Sequence, residues 1–318
     1  MKRRILPHLI AASIACMIAG AANGAGVLAP DDDEDDLVPN GKGWGERAYP
    51  TPGKGNGNGN GNANGQGNRK VTGNGINYHG GPLMLGTTNV HYIWYGNWAG
   101  NTATAILTDL ASNIGPSPYF NINTTYYDGS GAHVSNSVRL AESTTDSYSR
   151  GTSLSDSAIQ GVVSDAITSN RLPKNTNAVY FVLTSSDVTA SSGFCTQYCG
   201  WHTHGTIAGS DIKYSFVGNP DRCPSSCAAQ TTGPNGNAGA DGMASIIAHE
   251  LEEAVTDPDL NAWYDRQGQE NADKCAWTFG TLSTAGNGSK YNMTLGGRNY
   301  LIQRNWVNAS GGYCATSY

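Results

Sequence analysis

The chain has 318 residues, of which only 14% are charged, with a net charge of −6 and seven cysteines. Its 19 Lys and Arg form no dense patch, and most of the acidic excess lies in "DDDEDD" at 31–36. That balance excludes a nucleic-acid-binding surface and electrostatic adhesion to an anionic membrane.

In chain order, "MKRR" is a basic start and "ILPHLIAASIACMIAGAA" an apolar stretch broken by Pro7 and His8. Small residues follow, so residues 1–25 read as a secretory signal peptide cut near Ala22 or Ala25. The stretch is too short and interrupted to cross a bilayer, and no later segment is apolar enough, so no membrane span is expected. Ser13 stands where a lipid-anchor signal around Cys16 wants a large aliphatic. The expected location is secreted and extracellular, or periplasmic in a Gram-negative cell. Residues 26–70 hold the acidic run and "GKGNGNGNGNANGQGN", with almost nothing to bury, and read as a disordered linker.

From 71 to 318 the composition supports one sizeable core. "NVHYIWYGNW" (89–98) reads as a strand and "TATAILTDLASNI" (102–114) has helical spacing. "SVRLAE" (137–142) is a short strand, and "SLSDSAIQGVVSDAIT" (153–168) a helix opened by a capping serine. "NAVYFVLTS" (177–185) fits a central strand buried on both faces, and "IKYSFVGN" (212–219) another strand. The C-terminal stretch reads as a hairpin turning at Gly296-Gly297. The whole is an α/β layered single domain around a largely parallel or mixed sheet.

Cleavage of the leader leaves Cys195, Cys199, Cys223, Cys227, Cys275 and Cys314. An even count in an exported chain favours disulfides. Local bridges 195–199 and 223–227, with 275–314 tying down the C-terminus, are the simplest pairing. Zinc thiolates at the two Cys-x3-Cys pairs are the alternative.

"YHGGPLMLGTTNVHYIWYGNW", "CGWHTHG", "YSFVGNPDRCPSSCA", "GPNGNAGADGM" and "NGSKYNMTLGGRNYLIQRNWVNASGGYC" together give the folded part its resemblance to the EXORDIUM / phosphate-induced protein 1 family. The resemblance spans the domain end to end and implies an extracellular α/β protein. It supplies no reaction, because the plant members are described by growth effects. After "DGM" those members continue with apolar and small residues towards Thr-Asn-Pro, whereas this chain reads "ASIIAHELEEAVTDP". The departure points to a microbial branch with an added His-Glu-x-x-Glu helix.

On a helix over 241–257, Met243, Ile247, Leu251 and Ala254 form an inward stripe. His249 and Glu253, four apart, lie one above the other and can grip one ion, as the two histidines of His-Glu-x-x-His do. Glu250 occupies the general-base position, able to take a proton from metal-bound water. Asp273 or Glu270, in the loop before Cys275, would be the third ligand, and Asp257 lies one turn further on. His202 and His204, expected on a disulfide-bounded loop, can complete the site, with His204 also a candidate oxyanion stabiliser. Zinc is the expected ion, and calcium the alternative given so many carboxylates.

The leading expectation is a secreted metal-dependent hydrolase, of zinc-metallopeptidase type, acting on a peptide or cell-wall substrate. The alternative is a non-catalytic extracellular EXORDIUM-like module at a cell wall or surface, with the histidine and glutamates a surface pair. A third reading joins His204 and Cys223 in a caspase-like cysteine-peptidase dyad.

Overall fold

The computed structural model describes residues 39–42 and 73–318. The expected leader and most of the expected linker lie outside the described residues.

Five strands form the central sheet: β1 (Thr88–Tyr95), β2 (Val138–Asp146), β3 (Ala178–Thr184), β4 (Gly200–Ile207) and β5 (Ser210–Val217). Their order is β2-β1-β3-β5-β4. The first four in that order run parallel, and β4 returns antiparallel to β5. The sheet is therefore mixed, with an antiparallel strand at one edge. "AVYFVLT" of β3 is buried at every position, as a strand covered on both faces must be.

Three helices flank the sheet: α1 (Ala103–Asn113), α2 (Asp156–Thr168) and α3 (Ala238–Thr256). Alternation along β4 shows which faces they cover. A methyl group at Gly200 would meet Ile246 and Glu250 of α3, whereas one at Gly205 would meet Gln160 of α2. Even-numbered positions of β4 therefore look at α3 and odd-numbered ones at α2. Ser155, not Ser153, caps α2, its hydroxyl accepting from Ala158 N–H at 3.1 Å. The hairpin at Gly296-Gly297 forms as expected, Leu295 pairing with Arg298.

All six cysteines are paired, but not as neighbours. The bridges are Cys195–Cys223, Cys199–Cys227 and Cys275–Cys314. The local pairing expected for the first four is wrong because β4 and β5 fold back on each other, setting the segment before β4 beside the segment after β5. Bridged Cys223 offers no thiolate, which removes the cysteine-peptidase reading.

Pro39–Lys42, inside the expected linker, packs against the domain. Lys42 Nζ lies 2.5 Å from Asp156 Oδ2 and over the rings of Tyr198 and Trp201. Gly41, at φ +68°, lies so close to the His202 carbonyl on β4 that no side chain would fit. No helix among the described residues is long and apolar enough to cross a membrane.

Candidate metal centre

Helix α3 is not amphipathic. Asn237 caps it, accepting from Ala240 N–H at 3.1 Å, and nearly every residue from Gly239 to Thr256 is buried. His249 is 2% exposed and Glu253 1%, so the surface-pair reading fails. What covers the polar face is β4 on one side and the 265–275 loop on the other. That loop is held in shape by its own polar groups. Asp265 Oδ1 accepts from Gln267 N–H and Gln269 N–H, and Asp265 Oδ2 pairs with Lys274 at 2.9 Å. A short 3-10 turn over Asp273–Cys275 and the bridge to Cys314 complete it.

The loop brings Glu270 and Asp273 onto the helix. His249 Nε2 lies 3.0 Å from Glu253 Oε1 and 3.7 Å from Asp273 Oδ1. Among the described residues neither ring nitrogen of His249 finds a hydrogen bond of proper direction, and Asp273 Oδ1 finds none. Buried polar atoms are normally satisfied, and His249, Glu253 and Asp273 offer ligand atoms within 4.8 Å of one another, close enough to hold one ion. From β4, His202 Nε2 reaches Glu270 at 3.1 and 3.2 Å and Glu253 Oε2 at 3.7 Å. Backbone groups hold the carboxylates in place: Asp273 N–H donates to Glu253 Oε1 at 3.1 Å, and Glu270 N–H to Asp273 Oδ2 at 3.4 Å.

The electrostatics follow from burial. Glu270 is pushed well above the usual carboxylate range, first by burial and then by Glu253, Asp257, Asp273 and Glu250. Burial lowers His202 to about 4 against the pull of Glu253. Burial would lower His249 as well, but Glu253, Asp273 and Glu250 hold it well above its ordinary value. The crowded negative charge thus favours the protonated forms of Glu270 and His249. Among the described residues no Lys or Arg pairs with Glu253, Glu270 or Asp273, although buried charge demands a partner or a metal.

Two expected residues, Asp257 and His204, go elsewhere, as does Glu252. Asp257 Oδ1 accepts from Asn261 and Ala262 N–H, each at 2.6 Å. It closes the turn after α3 and belongs to none of the three groups, among the described residues, close enough to hold one ion; burial raises it to about 7. Glu252 points into an asparagine network, its Oε2 accepting from Asn305 Nδ2. His204 shares the α3-facing side of β4 with His202 but is partly exposed, with Asp211 at 2.9 Å and Asp259 at 3.6 Å. Lys213 pairs with both of those aspartates. His204 thus stays outside the buried group, and of the two expected histidines His202 is the one that joins it. Reading "CGWHTHG" as a loop left His202 and His204 undistinguished, because its hydrophobic alternation is too weak to mark a strand.

Glu250 is fully buried, and Gly200 makes room for it: a methyl group there would lie 2.9 Å from Glu250 Oε1 and 2.5 Å from Ile246 Cγ2. Gly200→Ala should therefore destabilise the fold by about 1–3 kcal/mol, the usual overpacking range. A denaturant midpoint unchanged from wild type would show that α3 yields without strain.

The family model described as "Phosphate-induced protein 1 conserved region" matches residues 76–317. The chain belongs to the phosphate-induced protein 1 family. Protein EXORDIUM-like 3 of Arabidopsis thaliana is 34% identical over 271 residues, covering 73% of this chain and 80% of its own length. Protein EXORDIUM-like 5 of the same plant is 34% identical over 273 residues, covering 73% and 75%. Protein PHOSPHATE-INDUCED 1 of Nicotiana tabacum is 29% identical over 228 residues, covering 62% and 69%. No solved structure matches the chain. The names of these phosphate-induced relatives state no reaction, so the comparisons favour the EXORDIUM-like module over the expected hydrolase.

Proposed function

We propose that this protein is an extracellular EXORDIUM-like module built around a buried divalent-metal centre, with His249, Glu253 and Asp273 as ligands. The observation that carries the reading is the convergence of His249 Nε2 and Asp273 Oδ1 on Glu253, both buried and neither hydrogen-bonded within the group. The imidazole favours zinc or another transition ion over calcium, which takes oxygen ligands. The three disulfides fit an oxidising compartment, in keeping with the expected leader.

Metal-dependent hydrolysis, with a peptide or cell-wall polymer as substrate, is the second reading. It is favoured by the placement of Glu250 beside His249 on α3, where it can serve as general base to metal-bound water. Against it stands the burial of the ligands, since catalytic zinc keeps one position open.

Elemental analysis tests the centre directly. Protein purified without chelator and incubated with zinc should retain stoichiometric metal, and His249→Ala should lose it from that ligand set. Less than a tenth of an equivalent in the wild type would refute the reading, and calcium alone would replace zinc as the ion.

A further inference from the structure

The two histidines of the buried cluster address opposite oxygens of one carboxylate. His249 Nε2 lies nearest Glu253 Oε1, and His202 Nε2 faces Glu253 Oε2. Each histidine has its own second carboxylate, Asp273 for His249 and Glu270 for His202. We propose that the cluster is a two-metal centre in which Glu253 bridges one divalent ion held by His249 and Asp273 and a second held by His202 and Glu270.

The proposal rests on the reading of the cluster as a metal centre and goes further in the number of ions and the role of His202. Ligand atoms about 2.1 Å from a tetrahedral ion stand roughly 3.4 Å apart. The histidine–carboxylate separations in both halves run from 3.0 to 3.7 Å. In each half the three ligand atoms lie within 4.8 Å of one another, and no such group among the described residues contains both histidines. One ion placed for His249 is thus badly placed for His202. A carboxylate that offers one oxygen to each side spans the separation of about 3.5–4 Å found in two-metal sites. Charge agrees: Glu253, Glu270 and Asp273 carry more negative charge than a single divalent ion neutralises, and all three are buried.

The arrangement also separates this centre from the other candidate group. His204, Asp211 and Asp259 lie close together as well, but there the Lys213 ammonium already sits against both aspartates.

The test uses the full secreted chain, loaded with zinc alone or with manganese(II) alone. Elemental analysis should find about two zinc ions per chain, and the manganese form should give a spin-coupled rather than an isolated paramagnetic signal. Glu270→Gln, which keeps size and shape, should fall to about one ion per chain and give an isolated manganese signal. His202→Ala should do the same, and where its folding suffers the glutamine variant decides. Glu253→Gln should abolish the coupling. One ion in the wild type, with an isolated signal that Glu270→Gln leaves unchanged, would overturn the two-metal proposal and leave the single-ion reading standing. No bound metal would overturn both.

Discussion

Stripping the proposed metal from the purified, zinc-loaded protein should lower its melting temperature by roughly 8–16 °C. A ligand present at a thousandfold excess over its dissociation constant adds about 4 kcal/mol to stability. For a domain of this size each kcal/mol is worth about 2–4 °C. The effect originates where α3, β4 and the 265–275 loop meet. Without a cation, Glu253, Glu270 and Asp273 face one another in a site with no Lys or Arg among the described residues to pair with them. The loop is joined to the rest of the fold through Asn271, whose Nδ2 donates to the Glu252 carbonyl at 3.2 Å, and through the Cys275–Cys314 bridge. It should be the first part to open, and hydrogen exchange should locate the loss of protection there. Restoring zinc should restore the melting temperature. A chelated protein that melts at the same temperature, after demonstrated removal of bound metal, would show that the cluster is stable without it.

Glu250→Gln should leave metal content near wild type and lower any hydrolysis by about 10²–10⁴-fold, the usual contribution of a general base. The amide keeps the volume that Gly200 accommodates, so folding should be little affected, but it cannot take a proton from water. His249→Ala, by contrast, should lose metal and hydrolysis together. The module reading expects no hydrolysis by the wild type on a panel of proteins, peptides and esters, and no change in wall or partner binding for Glu250→Gln. An active wild type whose Glu250→Gln variant keeps its full rate would remove Glu250 from the chemistry.

The α/β architecture was legible because its main signals are local. The unbroken apolar run of β3 and the periodic spacing of α1 and α2 need no partner to be read. The i, i+4 pairing of His249 and Glu253 is equally local. What stayed hidden depends on β4. Its sequence, "GWHTHGTI", mixes glycine, histidine and threonine with few aliphatics, so hydrophobic alternation is weak. Once 200–207 is a strand antiparallel to β5, two further results follow: the cysteine pairs before and after the hairpin must cross-link, and His202 faces α3. Asp257 illustrates a different limit. A carboxylate one turn past a ligand pair has the spacing of a ligand, yet the two backbone N–H groups left free by the turn before Ala262 claim its oxygen first.

Strand β4 ends the sheet, and an exposed rim of backbone groups is a template on which another chain can add a strand. Gly41 sits against the His202 carbonyl of β4, and Lys42 places a charge beside Asp156. A strand adding at that carbonyl would have to displace Gly41 first.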